Sequence, residues 1–157
     1  MKRIAILCAC SIVLFACKQS HKNTEDSAQF GAFLENFYQD QLKLSPLSAT
    51  MVGDDRYDDQ LPNDGSTAYL QAWSKFNKAY LDSLKNYDRN SLSDNDQLSY
   101  DNLKYQLETN IEGDQFHFEY MPFNQFVGLP LTLGQLGSGT GAQPFKTVKN
   151  YEDWLKE

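Results

Sequence analysis

Apolar side chains recur at intervals of three and four along two stretches of this chain, and that spacing decides which class of fold is open to it. In residues 27–44, SAQFGAFLENFYQDQLKL, the residues Phe30, Phe33, Leu34, Phe37, Tyr38, Gln41 and Leu44 fall on one face of a helix, and Pro46 sets its limit. Residues 67–87 repeat the pattern with Tyr69, Trp73, Phe76, Tyr80, Leu84 and Tyr87, and Ser66 stands where an N-cap is needed. Stripes of this width must be covered by other elements, so the expected fold class is mainly α, built from amphipathic helices packed on one another.

A third helix is expected after Ser93, where SDND offers a capping box from Ser93 to Asp96. It should run through Leu98, Leu103, Tyr105, Leu107 and Ile111, with Gly113 as its stop. Between the first two helices, residues 45–65 read as turns, punctuated by Pro46, Gly53, Pro62 and Gly65. Asp54, Asp55, Asp58 and Asp59 crowd there around Arg56, a grouping of oxygens that suits calcium. The spacing lacks the alternation of an EF-hand and its closing glutamate, so a solvated or locally hydrogen-bonded loop is the expectation.

Beyond Glu119 no charged residue appears until Lys146, a run of 26 residues in a chain of net charge −7. Pro122, Gly128, Pro130, Gly134, Gly137, Gly139 and Gly141 interrupt it, which excludes a continuous membrane-spanning helix. FHFEY at 116–120 alternates as a short strand would, and the rest is expected to be a Pro/Gly-rich irregular connection buried against protein. Asn150 is placed to cap a last helix, YEDWLKE, with Asp153 at the reciprocal position. That helix completes barely two turns, and a helix so short is marginal alone. The expectation is that residue 157 is not a natural carboxyl terminus, and that residues 30–157 are the amino-terminal part of a larger helical domain.

At the other end, Lys2 and Arg3 precede an apolar run of 13 residues, 4–16, and then LFAC at 14–17. This order is that of a signal peptide over residues 1–16, too short to span a bilayer stably. LFAC resembles a bacterial lipobox, which implies cleavage before Cys17 and attachment of lipid to its sulfur. Membrane attachment through Cys17, a flexible tether over residues 17–29 and, from Lys18, a cell-envelope location in the outer membrane follow from that resemblance, with the face of the membrane left open. Cys8 and Cys10 would leave with the signal peptide, so no thiol would remain for catalysis, zinc or a disulfide. Loss of Lys2 and Arg3 takes the charge to about −9, the wrong sign for a nucleic-acid surface.

Catalytic constellations are scarce. The two histidines are His21, in the tether, and His117, whose Glu119 neighbour would share its face on a strand. No G-x-S-x-G occurs, and GSGTG at 137–141 lacks the G-K-[ST] of a phosphate loop and reads as a mobile loop.

Four segments carry a resemblance when taken in order: SPLSATMVGDDRYDDQLP at 45–62, SDNDQLSYDNLKYQLE at 93–108, MPFNQFVGLPLTL at 121–133 and TVKNYEDWLKE at 147–157. Together they resemble the amino-terminal part of the bacterial family called domain of unknown function 885, helical proteins similar to gluzincin-type zinc metallopeptidases. The resemblance implies a zinc-dependent hydrolase acting on peptides outside the cytoplasm, its H-E-x-x-H helix lying outside these residues and its scaffold completed by the remainder of the same chain. No catalytic, cofactor-binding or metal-ligating residue carries over onto this sequence. Phe123, Asn124 and Gln125 match the family's segment by position and are expected at most to line a substrate cleft. The competing expectation is a noncatalytic envelope lipoprotein that binds a peptide or protein partner.

Overall fold

The structure, a computed structural model, describes residues 20–121, 124–126 and 128–156. The expected signal peptide and Cys17 lie outside the described residues, as does Phe123. Six α-helices are described: α1 Ser20–Leu44, α2 Pro46–Met51, α3 Thr67–Leu84, α4 Asp94–Gly113, α5 Leu129–Leu136 and α6 Val148–Lys156. No strand occurs among the described residues, and the chain is mainly α as its spacing demands.

Helices α1, α3 and α4 form a three-helix bundle around one aromatic core. Phe30, Phe33 and Phe37 of α1, Leu84 of α3, Leu92 and then Leu103 and Leu107 of α4 are its buried residues. Phe33 lies 5.1 Å from Tyr87 and 5.7 Å from Tyr80, and Phe37 lies 5.1 Å from Tyr80 in an edge-on contact. Later residues of α1 thus meet earlier residues of α3, which makes that pair antiparallel. The Ser74 hydroxyl donates to Asp114 at 2.6 Å and Asn110 donates to Asn77 at 3.4 Å, so α3 and α4 run antiparallel as well. Their connection is fixed by Arg89, whose Nε and Nη2 reach the two oxygens of Asp101 at 2.7 and 2.6 Å.

The caps explain where these helices begin. Ser66 accepts from the Tyr69 N–H at 3.3 Å, and Ser93 accepts from the Asp96 N–H at 3.3 Å. In place of a full capping box, the Asp96 carboxylate accepts a hydrogen bond from the Ser93 hydroxyl at 2.8 Å, with its charge beside the positive end of α4.

Several sequence expectations are corrected. Helix α1 opens at Ser20, ten residues before Phe30 begins the apolar stripe and earlier than the window 27–44 suggested. Glu25, Ala28 and Gln29 are good helix formers that extend a helix already nucleated by packing. Helix α3 stops at Leu84 because the Asn86 and Tyr87 N–H groups turn back to Ser83 and Leu84, yet Tyr87 still enters the core. In α4, Leu98 and Tyr105 face solvent at 67% and 71% exposure, leaving Leu103 and Leu107 to do the packing.

The segment from Phe116 onward holds two further corrections. FHFEY forms a 3-10 turn over Phe118–Tyr120, because no second strand is there to take its ladder bonds. Residues 129–136 form α5, where irregular connection was expected. Gly128 and Pro130 are start signals rather than breaks: the Gly128 carbonyl accepts from Leu131 and Thr132, both at 3.1 Å, and proline is tolerated in a first turn.

Candidate functional site

Helix α2 begins a unit that the sequence read only as turns. Pro46 occupies the first turn, where its missing N–H is no loss, and Pro46, Ala49 and Thr50 are buried. Gly53 ends it with φ of 82°, a left-handed conformation that glycine adopts without a Cβ penalty. From there the Gly53 N–H reaches the Thr50 carbonyl at 3.0 Å and the Asp54 N–H reaches Ala49 at 2.9 Å, a Schellman closure.

The four aspartates that follow have different environments. Asp54 caps a 3-10 turn over Asp55–Tyr57 and clasps Arg56, whose Nε lies 2.8 and 3.0 Å from the carboxylate oxygens. That guanidinium holds the Asp54 carboxyl below its ordinary range, and it also donates to Gln39 of α1 at 2.6 Å. Asp58 is instead 2% exposed, so of the two expectations for this loop, solvated or locally hydrogen-bonded, the second describes this position. Its Oδ1 accepts the Thr50 hydroxyl at 2.7 Å, while its buried Oδ2 has no hydrogen-bond partner among the described residues. Burial pushes the Asp58 carboxyl up, against the opposing pull of the Thr50 bond.

On the outer side of α2 lies a groove of about 230 Å³, walled by Pro46, Met51, Leu61, Pro62, Tyr69 and Leu129. Ser48 and Asp64 add polar groups to it. Leu129 is the contribution of the uncharged stretch, and neither Asn124 nor Gln125 lines this groove. Both are exposed, and the Asn124 Oδ1 accepts from the Phe126 N–H at 2.8 Å, bracing a local turn. None of the wall residues stands out in sequence by chemistry, since their contact depends on α2 folding as a helix and on the return of residues 61–69.

Helix α6 closes against the aspartate turn from the opposite end of the chain. Its cap is Thr147 paired with Asn150: the Asn150 Oδ1 accepts from the Thr147 N–H at 3.0 Å, and the Asn150 N–H reaches the Thr147 hydroxyl at 3.3 Å. The expected cap at Asn150 thus sits one turn early in fact, and Asp153 is released from capping. Asp153 is 4% exposed, paired with Lys149 of its own helix, and Lys156 spans from Asp59 at 3.9 Å to Asp153 at 4.0 Å. Trp154 lies edge-on to Phe145 at 5.8 Å and against Gly137.

His117 and Glu119 do meet, Nδ1 to Oε1 at 2.8 Å, with the imidazole stacked on Tyr120 at 5.0 Å. The His117 bond holds the Glu119 carboxyl below its ordinary range. This exposed pair offers two donors at most, and no group of three or more His, Cys, Asp or Glu placed to hold a metal occurs among the described residues. These residues therefore do not fit a zinc ligand set, which needs three or four protein ligands. Among the described residues no helix is long and apolar enough to cross a membrane.

The described residues thus offer an apolar groove edged by the carboxylate of Asp64. Comparison with curated proteins and with solved structures finds no match in either. The sequence model of the family described as bacterial protein of unknown function (DUF885) matches residues 46–157, from the first residue of α2 through α6. Covering well over half of the chain, that match places it in the DUF885 family of bacterial proteins.

Proposed function

We propose that this chain is the scaffold portion of a lipid-anchored, zinc-dependent peptidase-like hydrolase that acts on peptides outside the cytoplasm. The reacting groups and the zinc ligands belong to residues other than those described, since His117 and Glu119 cannot make such a centre. Zinc bound elsewhere would supply Lewis-acid activation of water. The residues described here contribute rigid helices and a binding wall.

The observation that carries this reading is the groove beside α2. At about 230 Å³ it is smaller than the roughly 300–1,000 Å³ of drug-sized ligand sites, and its size suits one or two peptide side chains. Its walls of Pro46, Met51, Leu61, Pro62 and Tyr69 favour apolar side chains, with Asp64 available to a peptide N–H or a basic group. Resemblance of the surrounding segments to a gluzincin-like family supplies the reaction class. The exposed apolar side chains Phe126, Leu131 and Leu155 fit a surface that meets the remainder of its own chain.

A noncatalytic envelope lipoprotein that holds a peptide partner uses the same groove, and activity separates the two. Metal content and cleavage of a peptide library, both measured on the full-length protein, test the proposal. Bound zinc with cleavage supports the hydrolase; peptide retention with neither zinc nor cleavage supports the binding lipoprotein.

A further inference from the structure

The groove beside α2 has an uneven lining. Among the described residues that wall it, Asp64 is the one with a charge. Three other aspartates of the same connection are engaged: Asp54 clasps Arg56, Asp58 accepts the Thr50 hydroxyl, and Asp59 lies 3.9 Å from Lys156. Asp64 makes no hydrogen bond or ion pair through its side chain among the described residues. The Ser45 and Ser48 hydroxyls of the lining bond to each other at 2.7 Å.

Position matters as much as charge. Asp64 is exposed, whereas Pro46 is buried and Leu61, Pro62 and Tyr69 are half-buried. The carboxylate therefore stands at the mouth, and apolar surface forms the interior. A single negative charge beside low-dielectric walls draws cations and repels a carboxylate.

Resting on the reading of this groove as a peptide site, we propose that it takes the amino-terminal residue of a peptide, with an apolar side chain between the walls and the free α-ammonium on Asp64 at the mouth. On such a residue the ammonium is attached at the Cα, so the charge stays at the rim while the side chain enters. A Lys or Arg side chain entering the same walls would carry its charge to the far end of its stem, among Pro46, Leu61 and Tyr69. No carboxylate of the lining meets it there, and burying an unpaired cation is costly. The carboxyl-terminal residue of a peptide brings a charge of the wrong sign. An internal residue offers Asp64 only a neutral N–H, a weaker donor than an ammonium.

The test is equilibrium binding, to the full-length protein, of a fluorescent peptide headed by leucine, its peptide bonds N-methylated so that binding is read without turnover. One form has a free amino terminus, a second is acetylated there, and a third is acetylated with lysine in place of the leucine. The free form is expected to bind about threefold to tenfold more tightly than either acetylated form, the range of a partly exposed, charge-assisted bond. That preference should fade as pH rises past about 8, where an α-ammonium loses its proton. Asp64→Ser should remove the preference and leave binding of the acetylated leucine form as it was. Asp82→Asn, at a surface carboxylate of α3 outside the groove, should leave the preference intact.

Equal binding of the free and acetylated leucine forms overturns the proposal, as does no binding of any form. So does tighter binding of the lysine form, or a preference that survives in an Asp64→Ser protein shown by circular dichroism to be folded. Because the readout is binding, amine capture and hydrolysis fail separately. Cleavage with no preference for a free amino terminus sinks amine capture and leaves the hydrolase standing; amine-dependent binding in a protein that cleaves nothing does the reverse.

Discussion

The Thr50 hydroxyl donates to Asp58 Oδ1 at 2.7 Å across a site where both residues are 2% exposed. This bond joins α2 to the end of the aspartate turn and gives the buried carboxylate its one hydrogen bond among the described residues. Thr50→Val keeps the shape and removes the donor, so both Asp58 oxygens become unsatisfied. The expected cost is about 1–3 kcal/mol, read as a lower urea midpoint with unchanged slope. Asp58→Asn in the same background should recover part of it, since the neutral amide tolerates burial better.

Gly137 bears on α6 through space alone. A Cβ at this position would lie 2.9 Å from the Trp154 ring and 3.2 Å from the Leu133 carbonyl. Gly137→Ala should displace the indole and cost about 1–3 kcal/mol as overpacking. The check is a red-shifted Trp154 emission in a chain carrying Trp73→Phe, which replaces the second of its two tryptophans. Gly53 gives the contrasting case: nothing lies within 4 Å, yet φ is 82°. Gly53→Ala should cost about 1 kcal/mol through backbone strain alone, with tryptophan emission unmoved.

Tyr80 links the aromatic core to α1 by donating to Asp40 at 2.7 Å. Burial, followed by this bond, pushes its phenol up to about 12. Folding then favours the protonated phenol, so stability falls as pH rises from the ordinary tyrosine value toward the raised one. Alkaline titration at the phenolate absorbance should show a late step near 12 that Tyr80→Phe abolishes. The bond also helps Lys43 keep the Asp40 carboxyl low. That contribution is present above the ordinary carboxylate range and is lost as pH falls through the depressed value.

Much of the bundle was legible because its signals are local. Apolar spacing located Phe30, Phe33, Phe37, Phe76, Tyr80, Leu84, Leu103 and Leu107, and hydroxyl caps at Ser66 and Ser93 fixed two helix starts. The misreadings came where one residue serves opposite purposes. Pro130 was read as a break and acts inside a first turn, while Pro46, which does mark the limit of α1, also opens α2. Asp58 and Asp153 are 2% and 4% exposed, and no short-range pattern encodes the burial of a carboxylate. The groove was hidden for the same reason, as Leu129 reaches it from far along the chain.

The central claim, that this chain is scaffold and binding wall for a zinc-dependent peptidase-like hydrolase, is tested most directly by metal removal and return. Full-length protein is stripped with a chelator, assayed on a peptide library, and assayed again after stoichiometric zinc is restored. The account predicts cleavage that disappears on stripping and returns with zinc, and a weakened KM for apolar peptides when Met51 or Tyr69 in the groove is replaced by Ala. Absence of cleavage in the zinc-loaded protein, or cleavage that survives complete removal of metal, would contradict it.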